Sequence, residues 1–318
     1  MPADRERGLR QAVDRHGPAH VGDHRVGGAA AGGADGVDAR SRRGFVDVGD
    51  DDVGARRRER VGDAPADPVG AAGDHRDATV EIDVDEAAAG ARVDAIRAAG
   101  GSAAAPVIAD VRRPVAVDRL AEAALSIRGH VDVLVNNVGH YLRPTPFLHS
   151  DEDHWAALYD INVLHVLRCS RALVPSMVAQ GSGSVINVAS VEGMRGYPPD
   201  PVYGAHKAAV IHFTRCLALE VAPSGVRVNA IAPDVTQTVQ VDYDAMVPEE
   251  LRDRWPVWVP IGRVGSPADN ADVVLFLACD LSRFVTGHVI PTDGGTVAAG
   301  GWFRTVQRGR WTNRPRDP

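Results

Sequence analysis

Residues 131–137 read VDVLVNN, a strand-length run that is apolar on both faces and stops at two asparagines. A strand covered on both sides belongs to a parallel sheet between helices, since a sheet with one wet face alternates apolar and polar residues. The same texture recurs on either side. Downstream, SVINVAS (184–190), VRVNAIAP (226–233) and HVIPTDGG (288–295) read as strands, separated by helices over about 151–179, 203–222 and Pro267–Cys279. Upstream, ATVEID (78–83) and APVIAD (105–110) read as strands, with helices over 85–101 and 113–128 following them. This alternation predicts a doubly wound, Rossmann-like α/β domain over residues 78–295, with ligands bound beyond the carboxyl ends of its strands.

Size and composition bound the function. The chain has 318 residues, 44% hydrophobic and 24% charged, enough for one sizeable core plus tails. A net charge of -7 and the lack of a long basic run argue against a nucleic-acid partner. Cys169, Cys216 and Cys279 are far apart and have no metal-ligand or disulfide spacing, so they read as small buried side chains, and no metal is expected. The first residues carry no apolar leader and no run approaches the length of a membrane span, so a soluble cytoplasmic protein is the expectation.

Residues 1–77 have a different texture. They contain one leucine (Leu9), one phenylalanine (Phe45) and no Ile, Tyr, Trp, Thr, Asn or Cys. Such a low-complexity segment offers little apolar surface against an ordering cost of about 1 to 2 kcal/mol per residue, so disorder is expected. The abrupt change at residue 78 also suggests translation of a GC-rich coding region out of frame. Residues 296–318 form a C-terminal extension whose tryptophans suggest docking on the body or on a neighbouring subunit.

Polar candidates gather just after the strands: Asp83, Asp110, Asn136, Asn137, Gly139, Ser190 and Pro233. Each alone is an ordinary turn residue; their recurrence at one sheet edge carries the weight. Tyr203 and Lys207, the chain's single lysine, stand four apart near a helix start and so share a face. An ammonium beside a phenol favours the phenolate, which would bring tyrosine, ordinarily near pKa 10, into acid/base range.

The set YGAHK (203–207), Ser190 thirteen residues earlier and NNVG (136–139) resembles the short-chain dehydrogenase/reductase family, in its small single-domain branch. RVNAIAPDVTQT (227–238), PIGRVGSPADNADVVLFLACD (260–280) and VTGHVIPTDGG (285–295) also look like its later segments. The resemblance implies that Tyr203 is the general acid/base, that Ser190 bonds the reacting oxygen, that Lys207 holds the nicotinamide ribose, and that Asn162 supports a water leading protons to solvent. A strand-end turn for Ser190 and a helix-capping or core role for Asn162 are the plainer alternatives. It further implies an adenine-side place for Asp110, a cofactor-lining role for Asn137, Val138 and Gly139, and a nicotinamide-side one for Pro233, Val235 and Thr238. Asp83 would accept bonds from the adenosine ribose and repel a 2'-phosphate, favouring NAD over NADP; a helix-initiating acid is its alternative.

The pattern breaks in two places. The family's first strand and its T-G-x-x-x-G-x-G loop are not found some 25 residues before Asp83, and the glycine cluster VGGAAAGGADG (26–36) reads as low-complexity sequence. Asp234 stands where the family usually has glycine.

The sequence thus predicts an oxidoreductase transferring hydride between NAD(H) and an alcohol or ketone with a hydrophobic body, working as a homodimer or homotetramer. Tyr243, Met246, Trp255 and Trp258 would wall the substrate or pack between subunits, with HYLRPTPF (140–147) and VEGMRGYPP (191–199) supplying other sides. The competing readings are a catalytically silent protein of this fold and an NADPH-dependent 3-oxoacyl thioester reductase.

Overall fold

The computed structural model describes residues 45–48, 80–83, 85–101, 106–304 and 311–313, all within one compact unit, Arg40–Pro318. Its main sheet comprises β1 (Phe45–Val48), β2 (Val80–Asp83), β3 (Val107–Ile108), β4 (Val133–Asn136), β5 (Gly183–Val188), β6 (Val226–Pro233) and β7 (Val289–Thr292). The spatial order is β3-β2-β1-β4-β5-β6-β7, every pair parallel, with the direction of winding reversing between β1 and β4. This is a doubly wound Rossmann-like sheet, as the alternation predicts.

The expectation of a missing first strand is corrected here. Val46 pairs with Val80 on one side and with Leu134 on the other, so β1 occupies the centre of the sheet. Its four residues, FVDV, are a strand-forming run too short to lift the average composition of the segment around them. The glycine-rich loop and the glycine cluster at 26–36 fall outside the described residues.

The helices are α1 (Glu86–Ala98), α2 (Pro114–Arg128), α3 (Glu152–Tyr159), α4 (His165–Gln180), α5 (Pro201–Val221), α6 (Tyr243–Met246), α7 (Trp255–Trp258) and α8 (Pro267–Ala278). The helix expected over 151–179 is interrupted by a π turn, Asp160–Leu164. Pro114 opens α2, and Gly129 closes it in the left-handed conformation at φ 78°.

Apolar residues cover both sheet faces. Leu120, Leu134, Leu173, Met177 and Val185 form one cluster, and Val133, Ile186, Ile231 and Leu277 another. Cys169 sits in the first, but Cys216 is exposed and Cys279 half-buried, against the expectation of three buried cysteines. None of the described helices is long and apolar enough to cross a membrane. A short antiparallel pair, β8 (Phe303–Arg304) and β9 (Trp311–Thr312), follows β7.

Candidate active site

A cavity of about 940 Å³ opens at the carboxyl ends of β4, β5 and β6. Ser190, Tyr203, Lys207, Asn137, Gly139, Pro233, Val235 and Thr238 all line it, so eight of the sequence-derived positions converge. Asp200 builds the helix that carries two of them. As the N-cap of α5 it accepts from the backbone N–H groups of Val202 at 3.1 Å and Tyr203 at 3.0 Å, and Pro201 fills the first helical position. His154 Nε2 lies 2.8 Å from the other Asp200 oxygen, tying α3 to this cap.

Ser190 caps the short turn Val191–Gly193 by accepting from Glu192 N–H at 3.2 Å, and its hydroxyl also reaches the Tyr203 phenol. Burial pushes the Tyr203 phenol above its ordinary value, and the Ser190 bond pulls it back down; Tyr197, Glu192 and Asp234 add to the rise. Lys207 Nζ stands 5.8 Å from the Tyr203 ring centre. Burial also pushes Lys207 down, to about 8.

Lys207 Nζ donates to Val188 O at 3.2 Å, using one of its three donors. A Cβ on Gly139 would stand 3.0 Å from Nζ and 3.1 Å from Asn162 Oδ1, so glycine leaves open the space in front of both groups. Asn162 lies in the π turn and lines no part of the cavity itself. Its amide donates to His140 O at 2.8 Å and Leu158 O at 3.0 Å, and its Oδ1 accepts from His140 N–H at 3.2 Å. Side chain and loop backbone are thereby locked together behind Gly139.

Three positions fall elsewhere. Val138 packs against the main apolar cluster. Asp83, at the end of β2, pairs with Arg92 of α1 and accepts from Asp85 N–H at 3.0 Å. Asp110 is held by Arg112 through two side-chain bonds of 2.9 Å, which keep its carboxyl below the usual range. Both acids stand at the sheet edge where an adenosine would lie. The described residues thus fit the nicotinamide–ribose and adenosine ends of a dinucleotide: a cavity of mixed lining that holds a donor-rich lysine and a glycine floor, with carboxylates at the far strand ends.

Among the expected substrate-wall residues, Tyr243 and Met246 line the cavity, whereas Trp255 packs with Val235, Val247 and Val259 in a small core of its own, against which Trp258 rests. The sequence reading missed a polar cluster beside Tyr203. Arg195 bonds Glu192 at 3.1 Å and Asp234 at 2.8 Å, and the Trp302 indole donates to Glu192 at 3.1 Å. The one signal available was Asp234 itself, out of place for the family. Next to it, Val235 has φ 39°, a strained value for a β-branched residue, held by its N–H donating to Asp234 Oδ1 at 2.9 Å.

Comparison with known proteins agrees with this fold. Residues 71–297 match the family model described as Enoyl-(Acyl carrier protein) reductase. The 3-oxoacyl-[acyl-carrier-protein] reductase FabG of Thermotoga maritima is 38% identical over 192 residues, which span 60% of this chain and 76% of that protein. The structure of a short-chain type dehydrogenase/reductase from Mycobacterium ulcerans superposes with a TM-score of 0.65 at 26% identity, covering 70% of this chain and 82% of that one. A 7 alpha-hydroxysteroid dehydrogenase complexed with NADH and 7-oxo glycochenodeoxycholic acid gives 0.64 at 29% identity, covering 69% and 84%. With the parallel sheet, the cavity at the carboxyl ends of its strands and a family match over most of its length, this chain belongs to the short-chain dehydrogenase/reductase family of NAD(P)-dependent oxidoreductases acting on CH–OH groups.

Proposed function

We propose that the protein interconverts a secondary alcohol and a ketone with a hydrophobic body, with NAD(H) as cofactor and Tyr203 as the general acid/base. The observation that carries this reading is the convergence of Tyr203, Ser190 and Lys207 on one cavity. The bound dinucleotide supplies or accepts the hydride. In the reducing direction the Tyr203 hydroxyl gives its proton to the carbonyl oxygen, while the Ser190 hydroxyl donates a hydrogen bond to that same oxygen. Lys207 would hold the nicotinamide ribose through its remaining donors, and Asn162 with the His140 carbonyl would support a water through which the phenol regains a proton. Oxidation runs the same proton path backwards.

Asp83 supports NAD, since a carboxylate at the ribose position repels a 2'-phosphate. A second reading, an NADPH-dependent 3-oxoacyl thioester reductase, is favoured by Arg92, whose guanidinium beside Asp83 supplies a cation there, and by the name of the Thermotoga maritima relative. Titrating NADH and NADPH against intrinsic fluorescence separates them: tighter NADH binding is expected, and a tenfold preference for NADPH moves the assignment to the second. Tyr203→Phe is expected to cut turnover at least a hundredfold while NADH binding stays within about twofold. Turnover within a few-fold of the parent removes Tyr203 from the chemistry.

The same reading includes a homodimer or homotetramer built on the helices at 151–179 and 203–222. Leu219 on α5, 79% exposed, supports it, and light scattering on the purified protein tests it. Three unpaired cysteines support a cytoplasmic location.

A further inference from the structure

We propose that Trp302, in the C-terminal segment beyond the residues that match the family, is the specificity-determining wall of the substrate pocket, and that it selects a ring-bearing ketone or secondary alcohol over a long-chain acyl thioester. The proposal rests on the reading of Tyr203 as proton donor. Trp302 lines the same cavity as Tyr203 and lies two ring contacts away from it. Its indole meets Tyr197 edge-on with centroids 5.4 Å apart, and Tyr197 meets Tyr203 edge-on at 5.6 Å. A carbonyl held between Tyr203 and Ser190 therefore faces an aromatic wall of Tyr197 and Trp302 on this side.

The indole is fixed in place rather than resting there. Its Nε1–H donates to both oxygens of Glu192, at 3.1 and 3.3 Å, and Glu192 is only 8% exposed. Arg195 bridges Glu192 and Asp234 and lies over the indole at 5.9 Å from its centre. Asp234 in turn accepts from Thr296 Oγ1 at 2.6 Å. Swinging the tryptophan aside would strip a donor from a buried carboxylate and expose the cluster behind it.

The backbone is shaped for this position. Gly300 and Gly301 turn the chain at φ 94° and 74°, and a Cβ on Gly301 would run into the Arg195 guanidinium. Beyond Trp302 the β8–β9 pair returns the chain so that Asn313 reaches the same cavity. Leu142, Val241 and Met246 add apolar surface to the same cavity, which suits a hydrocarbon ring better than the amide-rich arm of a carrier-bound thioester.

The test compares 2-decalone with the N-acetylcysteamine thioester of 3-oxodecanoate, each with whichever nicotinamide cofactor the parent uses better. The parent is expected to prefer the bicyclic ketone. In Trp302→Ala, kcat/KM for decalone should fall at least tenfold, chiefly through KM, while that for the thioester is unchanged or higher. A parent preference for the thioester, or a ratio of the two kcat/KM values in Trp302→Ala within threefold of the parent's, overturns the proposal. Should Trp302→Ala not fold, Trp302→Leu takes its place under the same criterion. If the parent turns over neither compound, the wall is judged by decalone binding in ligand-observed NMR: a tenfold weaker Kd in the variant sustains it, an unchanged Kd overturns it.

Discussion

Lys207 is buried and Tyr203 half-buried at the cavity wall, and desolvation moves them in opposite directions, the ammonium down to about 8 and the phenol up. The consequence for the cofactor-free protein is a pH-dependent stability. Between about pH 8 and 10.5 the unfolded chain holds a proton on the lysine that the folded chain has released, so stability rises with pH across that window. Above 10 the folded chain keeps a phenol proton that the unfolded chain loses, and the trend reverses. The melting temperature is thus expected to climb from pH 8 to 10, and its deficit relative to Lys207→Met to shrink; a deficit that holds constant with pH would mean that Lys207 is not desolvated. Gly139 makes a separate residue-scale prediction. Its missing Cβ keeps open the space 3.0 Å from Nζ and 3.1 Å from Asn162, so Gly139→Ala should reduce activity tenfold or more by displacing the ammonium, with little change in melting temperature. Unchanged kinetics would show that the space is not used.

Among the elements, α5 carries most of the site, and its placement depends on features at its start. Asp200 satisfies two of its open N–H groups and binds His154 of α3. Asp200→Ala should cost about 2 kcal/mol, read as roughly 4 to 8 °C in melting temperature, and lower kcat more than it changes cofactor affinity because Tyr203 sits within the uncapped turn. A loss confined to stability would detach the cap from the site. The residues after β5 are as demanding: a Cβ on Gly193 would lie 2.6 Å from the Lys207 carbonyl carbon, so this turn and α5 touch backbone to backbone. The helix itself was readable, since the strand-helix-strand rhythm placed α5 to within two residues, whereas its cap and the Gly193 contact were not part of that reading. The π turn at Asp160–Leu164 was not readable, because one extra residue in a helical turn leaves the apolar period almost unchanged while it turns Asn162 toward Gly139.

At the scale of the whole molecule, the sheet depends on a strand that lies 32 residues upstream of the next one, since Phe45–Val48 fills the place between β2 and β4. Val46→Pro removes a ladder donor from the centre of the sheet and should destabilise the protein by about 3 kcal/mol or more, enough to lose cooperative unfolding in circular dichroism. A melting curve like the parent's would remove β1 from the sheet. The amino-acid sequence by itself determined the fold class, the order of six strands, and the convergence of Ser190, Tyr203, Lys207 and the glycine floor at one sheet edge. These follow from local pattern: two-sided apolar runs, helix starts, and the rule that ligands sit beyond parallel strand ends. Only the tertiary structure decided the central strand, the direction of the Tyr203 shift, and the Glu192–Arg195–Asp234–Trp302 cluster. These depend on pairings between residues as much as 110 apart and on burial, and composition and periodicity carry no information about either.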